Sequence, residues 1–392
     1  MEWLVMSNIK NRILSLGNQP IANGFLEKQH YATEFRYDLS VYFDNKTKML
    51  KLCNTVAKER LFNAEYAYKT SHSKTMRDHF YDLALMYNSA KVIEIGSNDG
   101  AFIGNFAGGK SVAVEPCDNM AEITRKLGIL TYNKFWDIDL ADDILTDFGS
   151  KFDLVFSANT MCHIDDLDGA FSAVSHILDD DGVFIFEDPT AYNMILNTSY
   201  DQIYDEHVYV FNLHGLYDIL ARNGLYVYDV LALPNIHGGS LRIICKKRKY
   251  DIDIPWFRKE GLIFADSEIG YHMFARNVYA SRDNLIYLLE TLKNDHKKII
   301  AYGATSKSTV IFNFCNIGVD LIDYIIDTTP SKIGKFSPGM HIPIVNLETI
   351  PDDVDYVFLS AWNYEKEILC KERDFIKRGG KFISHVPMIR LI

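Results

Sequence analysis

Val92-Ile93-Glu94-Ile95-Gly96-Ser97-Asn98-Asp99-Gly100 is an apolar run that stops abruptly in a small polar turn bounded by glycines. The apolar part has the length and composition of a buried strand in a parallel sheet. Gly96 lets the backbone come close to a ligand at the strand's carboxyl end, where open α/β sheets bind their ligands. The segments that follow repeat the pattern. Strands are predicted over 92–96, 112–115, 130–133, 152–158 and 183–187, with helices over 120–127 and 167–178 between them. A helix over 213–222, stopped by Gly224, leads into a terminal strand pair at 226–233 and 240–246. Alternating strands and helices of this kind build a Rossmann-like, seven-stranded α/β sheet.

Working outward, residues 1–80 read as a small N-terminal domain with a thin core, turn signals at 16–20 and 44–46, and a strand-like alternation over 38–43. The sheet domain spans 81–250 and carries an insertion at 190–212 that a minimal sheet does not need. Residues 251–296 form a helical linker, with apolar residues at helical spacing from Phe257 to Leu292. A second Rossmann-like α/β domain follows over 297–392, with strands near 299–303, 322–327 and 356–360 and a helix near 309–316.

A net charge of −11 argues against nucleic acid as a partner. No apolar stretch approaches the length of a membrane span. Met1 to Asn8 lacks the pattern of a secretory leader. The six cysteines (Cys53, Cys117, Cys162, Cys245, Cys315 and Cys370) are too scattered for a CxxC metal pair or a disulfide framework. The expected setting is the cytoplasm, as a monomer or small homo-oligomer.

The turn after Ile95 is not GxGxxG, so it lacks the glycines that cradle a dinucleotide pyrophosphate. Glu94, Gly96, Ser97, Asn98 and Asp99 suit a ligand with an amine and a carboxylate. Glu115, about 20 residues after Gly96 at the end of the second strand, is placed to accept ribose hydroxyls, with Pro116 beside it. Phe135 and Trp136 follow the third strand and are candidates to pack an adenine, and Ala158 and Asn159 end the fourth. Together they predict an S-adenosylmethionine site, with S-adenosylhomocysteine as product. In the insertion, Tyr204, Glu206 and His207 bring a phenol, a carboxylate and an imidazole together, the groups of proton abstraction and oxyanion stabilisation. The bland alternative is a surface helix with solvated charges. His163 lies just beyond Asn159, and His237 opens a Gly-rich hairpin turn.

Several motifs in order resemble the bacterial sugar C-methyltransferases that act on nucleotide-linked keto-deoxysugars: LGNQPIANGF at 16–25, YAYKTSHS at 66–73, EIGSNDG at 94–100, ANTMCHI at 158–164, YDEH at 204–207, HGGSLR at 237–242, AYGATSK at 301–307 and SAWNYEKEI at 360–368. The resemblance covers nearly the whole chain. It implies that His207 is the base that removes a proton beside the keto group, with Tyr204, Glu206 and His163 around the sugar. It also implies a tyrosine reaching in from the N-terminal domain at Tyr68, with Tyr66 close by. The C-terminal domain becomes a nucleotide-sugar platform, where Gly303, Ser306, Lys307 and Thr309 could hold phosphate and Asp327 and Lys332 complete the site; His237 joins the substrate side. The family usually carries a structural zinc on four N-terminal cysteines, and here only Cys53 stands in that region, so no structural zinc or other metal is expected. The competing readings are a sugar O-methyltransferase using the same base, a dinucleotide-dependent sugar oxidoreductase, and a non-catalytic nucleotide-sugar binder.

Overall fold

This computed structural model describes residues 12–88, 90–106 and 109–392, which form three sheets. The leader reading at Met1 to Asn8 lies outside the described residues. The first sheet is antiparallel: β1 (Arg12–Pro20), β2 (Arg36–Asp44) and β3 (Met49–Leu52). The turn signal at 44–46 marks the β2–β3 hairpin. The signal at 16–20 does not make a turn; it sits inside β1, where Gly17 at φ 79° and a register slip between Ser15 and Asn18 absorb it as a bulge.

The second sheet contains β4 (Val92–Ile95), β5 (Ser111–Val114), β6 (Leu130–Tyr132), β7 (Phe152–Ala158) and β8 (Leu178–Pro189), all parallel. Every residue of β4 and β5 is buried, as strands covered by helices on both faces require. The short strand β9 (Tyr209–Val210) leaves this sheet. After it, β10 (Tyr226–Leu233) and β11 (Ser240–Lys246) close the order β10-β11-β8-β7-β4-β5-β6, with β11 antiparallel to both its neighbours. Chain order reverses between β4 and β7, so the crevice at their carboxyl ends is the sheet's switch point.

The insertion folds as a helix (Ala191–Asn197) and a tight turn (Tyr200–Gln202), and then donates β9 to the first sheet, pairing Lys51 with Tyr209 and Leu50 with Val210. Asn212 then caps the helix Leu213–Arg222 by accepting from Gly215 N at 2.7 Å. The expected continuous linker helix is two, Trp256–Leu262 and Glu268–Asn294. The break turns the Ala265 carbonyl inward, where the Tyr271 hydroxyl and the Asn212 amide donate to it at 2.6 and 3.0 Å.

The third sheet runs β14-β13-β12-β15-β16-β17, from β12 (Ile299–Tyr302), β13 (Ile325–Ile326), β14 (Ile344–Val345), β15 (Tyr356–Leu359), β16 (Lys381–Ser384) and β17 (Arg390–Leu391), parallel except for β17. Its first helix starts at Ser306, three residues earlier than expected, because Thr305 and Ser308 form a reciprocal capping box. Leu14, Leu39, Val41 and Leu50 of the first sheet share one apolar cluster with Phe274 and Val278 of the long helix and with Ile311 and Ile322 of the C-terminal domain. Among the described residues no helix is long and apolar enough to cross a membrane.

Candidate active site

The carboxyl ends of β4, β5 and β7 open into a cavity of about 590 Å³. Glu94, Gly96, Ser97, Asn98, Glu115, Pro116, Phe135, Trp136, Ala158 and Asn159 all line it. Gly96 has φ 74°, and a Cβ there would fall 2.2 Å from the Thr160 hydroxyl, so no other residue fits. Glu115 does not present a bare carboxylate: one oxygen accepts from Asn98 N at 2.7 Å and the other from Cys117 N at 2.8 Å. Each oxygen keeps a lone pair for a hydroxyl. Burial pushes the Glu115 carboxyl up, and the two amides pull against that. Asp99 is not in the wall. It is buried and accepts from the Ser71 hydroxyl at 2.6 Å, which ties the 70–72 turn to the loop.

The residues fit S-adenosylmethionine. Ser97 Oγ is buried with no hydrogen-bond partner, a state that costs about 1–3 kcal/mol unless a polar ligand relieves it. Phe135 and Trp136 give an apolar wall for a base. Trp136 Nε1 donates to Ala170 O at 3.1 Å, which leaves the ring without an unsatisfied donor.

The insertion cluster is not a surface helix. Tyr204, Glu206 and His207 are all at most 5% exposed. His207 Nδ1 lies 2.7 Å from Gln202 O, so that nitrogen carries the proton and Nε2 keeps the lone pair. Nε2 is buried without a partner. Burial, reinforced by the nearby His163 and Lys307, holds the imidazole well below the ordinary histidine range, so it is neutral at physiological pH. His163, whose Nε2 is also unpartnered, is pulled down by burial to about 3. Phe62, His163, His207 and Tyr204 form a column of rings, with centroids 5.5, 5.3 and 4.1 Å apart in turn.

Glu206 is held at both oxygens: Asn23 Nδ2 donates to one at 2.7 Å and the Tyr66 hydroxyl to the other at 2.9 Å. Asp205 accepts from Ala22 N at 2.8 Å, and burial beside Glu206 pushes its carboxyl up to about 8. Sequence reasoning missed Asn23 and Phe62, and it named Asp205 within the cluster without giving it a role. Asn23 lay inside the LGNQPIANGF stretch, so that motif was its signal. Of the two tyrosines, Tyr66 makes the bond to Glu206, while Tyr68 lines the cavities beside it.

A second cavity, of about 340 Å³, adjoins the first through Tyr66, Tyr68, Asn159 and His237, which line both. Tyr204, Glu206, His237, Gly303, Ser306, Lys307, Asp327 and Lys332 all line it. His207 lines neither cavity; it lies just behind Tyr204 and His163. Asp327 and Lys332 brace the turn after β12: Asp327 accepts from Ala304 N and Lys332 donates to Ala304 O, both at 2.7 Å. Thr309 turns away from the cavity and donates to Ala22 O at 2.8 Å, so it is a domain tie. Lys307 makes no hydrogen bond or ion pair among the described residues, and burial lowers its pKa. His237, held at φ 49°, is pulled down by burial to about 4.

Residues 55–230 match the family described as a methyltransferase domain, and residues 235–387 match the C-methyltransferase C-terminal domain. The C-methyltransferase NovU of Streptomyces niveus is 30% identical over 396 residues, spanning 97% of this chain and 94% of that protein. This chain belongs to the C-methyltransferase family. It is an S-adenosylmethionine-dependent methyltransferase, and the oxidoreductase reading falls away. Among solved structures, an S-adenosylmethionine-dependent methyltransferase of Thermotoga maritima is 19% identical, covers 43% of this methyltransferase and 92% of its own length, and has a TM-score of 0.32. The magnesium protoporphyrin IX methyltransferase of Synechocystis with bound S-adenosylmethionine is 11% identical, covers 44% and 77%, and also scores 0.32.

Proposed function

We propose that this methyltransferase places a methyl group on the carbon beside the ketone of a nucleotide-linked keto-deoxysugar, with His207 as the base. One observation carries the reading: a neutral imidazole, its tautomer set by Gln202 O and its Nε2 unpartnered, packs against His163, which lines the first cavity, and Tyr204, which lines the second. A sugar in the second cavity would reach it past Tyr204, whose phenol lies beside the Ser306 hydroxyl. Nε2 takes the proton from carbon. The electrons left behind move onto the ketone oxygen, and Tyr204 O–H and the His163 ring are the donors that would stabilise that oxyanion. Glu206, held by Asn23 and Tyr66, is a positioning residue that fixes the loop carrying the base. Bound S-adenosylmethionine supplies an electrophilic methyl group and leaves as S-adenosylhomocysteine.

The C-terminal domain supports the nucleotide part of this reading. The second cavity shares Lys69 and Lys332 with a wider groove of about 810 Å³ that also carries Arg60 and Lys335. These four are the cations that a diphosphate would meet there, interspersed with Glu27, Glu34, Glu65 and Glu206. The test is deuterium exchange. With a keto-sugar nucleotide and S-adenosylhomocysteine in D2O, the protein should exchange deuterium into the carbon next to the ketone. A product methylated on oxygen, with no exchange at carbon, would replace this reading by sugar O-methylation.

A further inference from the structure

We propose that Cys162, His163 and His207 form a capture site for one zinc-class divalent cation, and that filling it disables the reaction centre. The Cys162 sulfur and a ring nitrogen of each histidine lie within 4.8 Å of one another, the one such group of three among the described residues. Cys162 and His163 are neighbours on the turn Met161–His163 after β7, and His207 faces them from the insertion. Two separate segments therefore present three ligands to one point. A protein carboxylate is absent from the trio.

The ligand chemistry selects the ion. One thiolate and two imidazoles suit zinc and cadmium, and they exclude magnesium and calcium, which need oxygen. In a tetrahedral site such ligands stand about 3.3–3.6 Å apart, so closing requires a movement of about 1 Å. Little opposes it at the nitrogens: both Nε2 atoms are buried and unpartnered, so binding there breaks no hydrogen bond. The thiol is buried and stands beside Asp188, which favours its protonated form, so capture displaces one proton to solvent. His163 borders the cofactor cavity, which provides the route in. The fourth position stays with water. A cation on His207 occupies the lone pair that would accept the sugar proton; this inhibitory consequence rests on the proposed base, whereas binding of the ion does not.

Cadmium is the probe, used on the full chain after chelator treatment. The expected result is one Cd2+ per chain with a thiolate-to-cadmium charge-transfer band in the ultraviolet. Cys162→Ser should lose the band and weaken binding at least tenfold, and His163→Ala should weaken it similarly. Cys53→Ser and Cys370→Ser, which alter the half-buried and the exposed thiol, should keep both band and affinity. The thermal transition of each variant by circular dichroism separates loss of the site from loss of the fold. If Cys162→Ser fails that control, His163→Ala decides by the same titration. A wild-type protein without the band, or a full band in Cys162→Ser, overturns the site. Stoichiometric Zn2+ should also stop deuterium exchange, with recovery on chelation, and exchange persisting at full occupancy overturns the inhibitory role. A metal-free protein that shows no exchange counts against His207 as base and leaves the cadmium result standing.

Discussion

Glu206 is anchored at both oxygens: Asn23 and Tyr66, both from the N-terminal domain, donate to one each. A carboxylate held in this way fixes the loop that carries His207, the base in the proposed reaction. Asn23→Ala should therefore lower methyl transfer by about tenfold, the cost of one hydrogen bond to a buried carboxylate. Its affinity for S-adenosylmethionine, measured by calorimetry, should stay the same; a comparable loss of cofactor affinity would show a wider collapse. His207→Ala should abolish deuterium exchange and methylation together, by about 10²–10⁴-fold, with cofactor binding retained. The pH dependence has a definite sign. Burial lowers the His207 pKa, so the active neutral form persists below the ordinary histidine value and is lost only as pH falls through the lowered one. The acid limb of the exchange rate should lie below pH 6.5, about the unperturbed value, and a limb at or above it would mean that another group is titrating. At this scale the chain was legible where chemistry is written in residue type, as at Tyr204, Glu206 and His207. It marked the stretch around Asn23 but not the role of that residue, because an amide takes its role from a partner 183 positions away.

Among the elements, the central parallel strands β4 and β5 were readable because each is buried on both faces and ends in a polar turn. The two-residue β9 was not, since a pair as short as Tyr209–Val210 has no periodicity to read. The turn signals at 16–20 misled for a physical reason: Gly17 serves a bulge within a strand as readily as a turn between strands. The β4 and β5 ends are coupled through Glu115, which holds the backbone of Asn98 and Cys117 while facing the cavity. Glu115→Ala should thus weaken S-adenosylmethionine binding by about 1.5–3 kcal/mol for each charge-assisted bond lost, and an unchanged calorimetric affinity would remove Glu115 from the site. The helix Ser306–Phe314 brings Lys307 close enough to depress His207. Lys307→Met should raise the acid limb of exchange toward ordinary histidine values; a profile that does not move, with weakened binding of a nucleoside diphosphate, would assign the lysine to phosphate alone.

On the scale of the whole molecule, the first sheet has no core to itself. Its inward residues share one apolar cluster with the long helix and the C-terminal domain, and its fourth strand comes from the insertion. Residues 1–80 expressed alone should therefore lack a cooperative thermal transition by circular dichroism, and a sharp transition in that fragment would show an independent domain. The sequence suggested a thin core there but could not show where the missing burial is supplied, because that partner lies far along the chain. The donated strand begins two residues after His207. A chimera that exchanged the N-terminal segment between two such enzymes would therefore inherit a mismatched strand edge unless residues 204–210 travelled with it. The N-terminal sheet and the loop that carries the proposed base thus form one transplantable unit, and neither can be redrawn without editing the other.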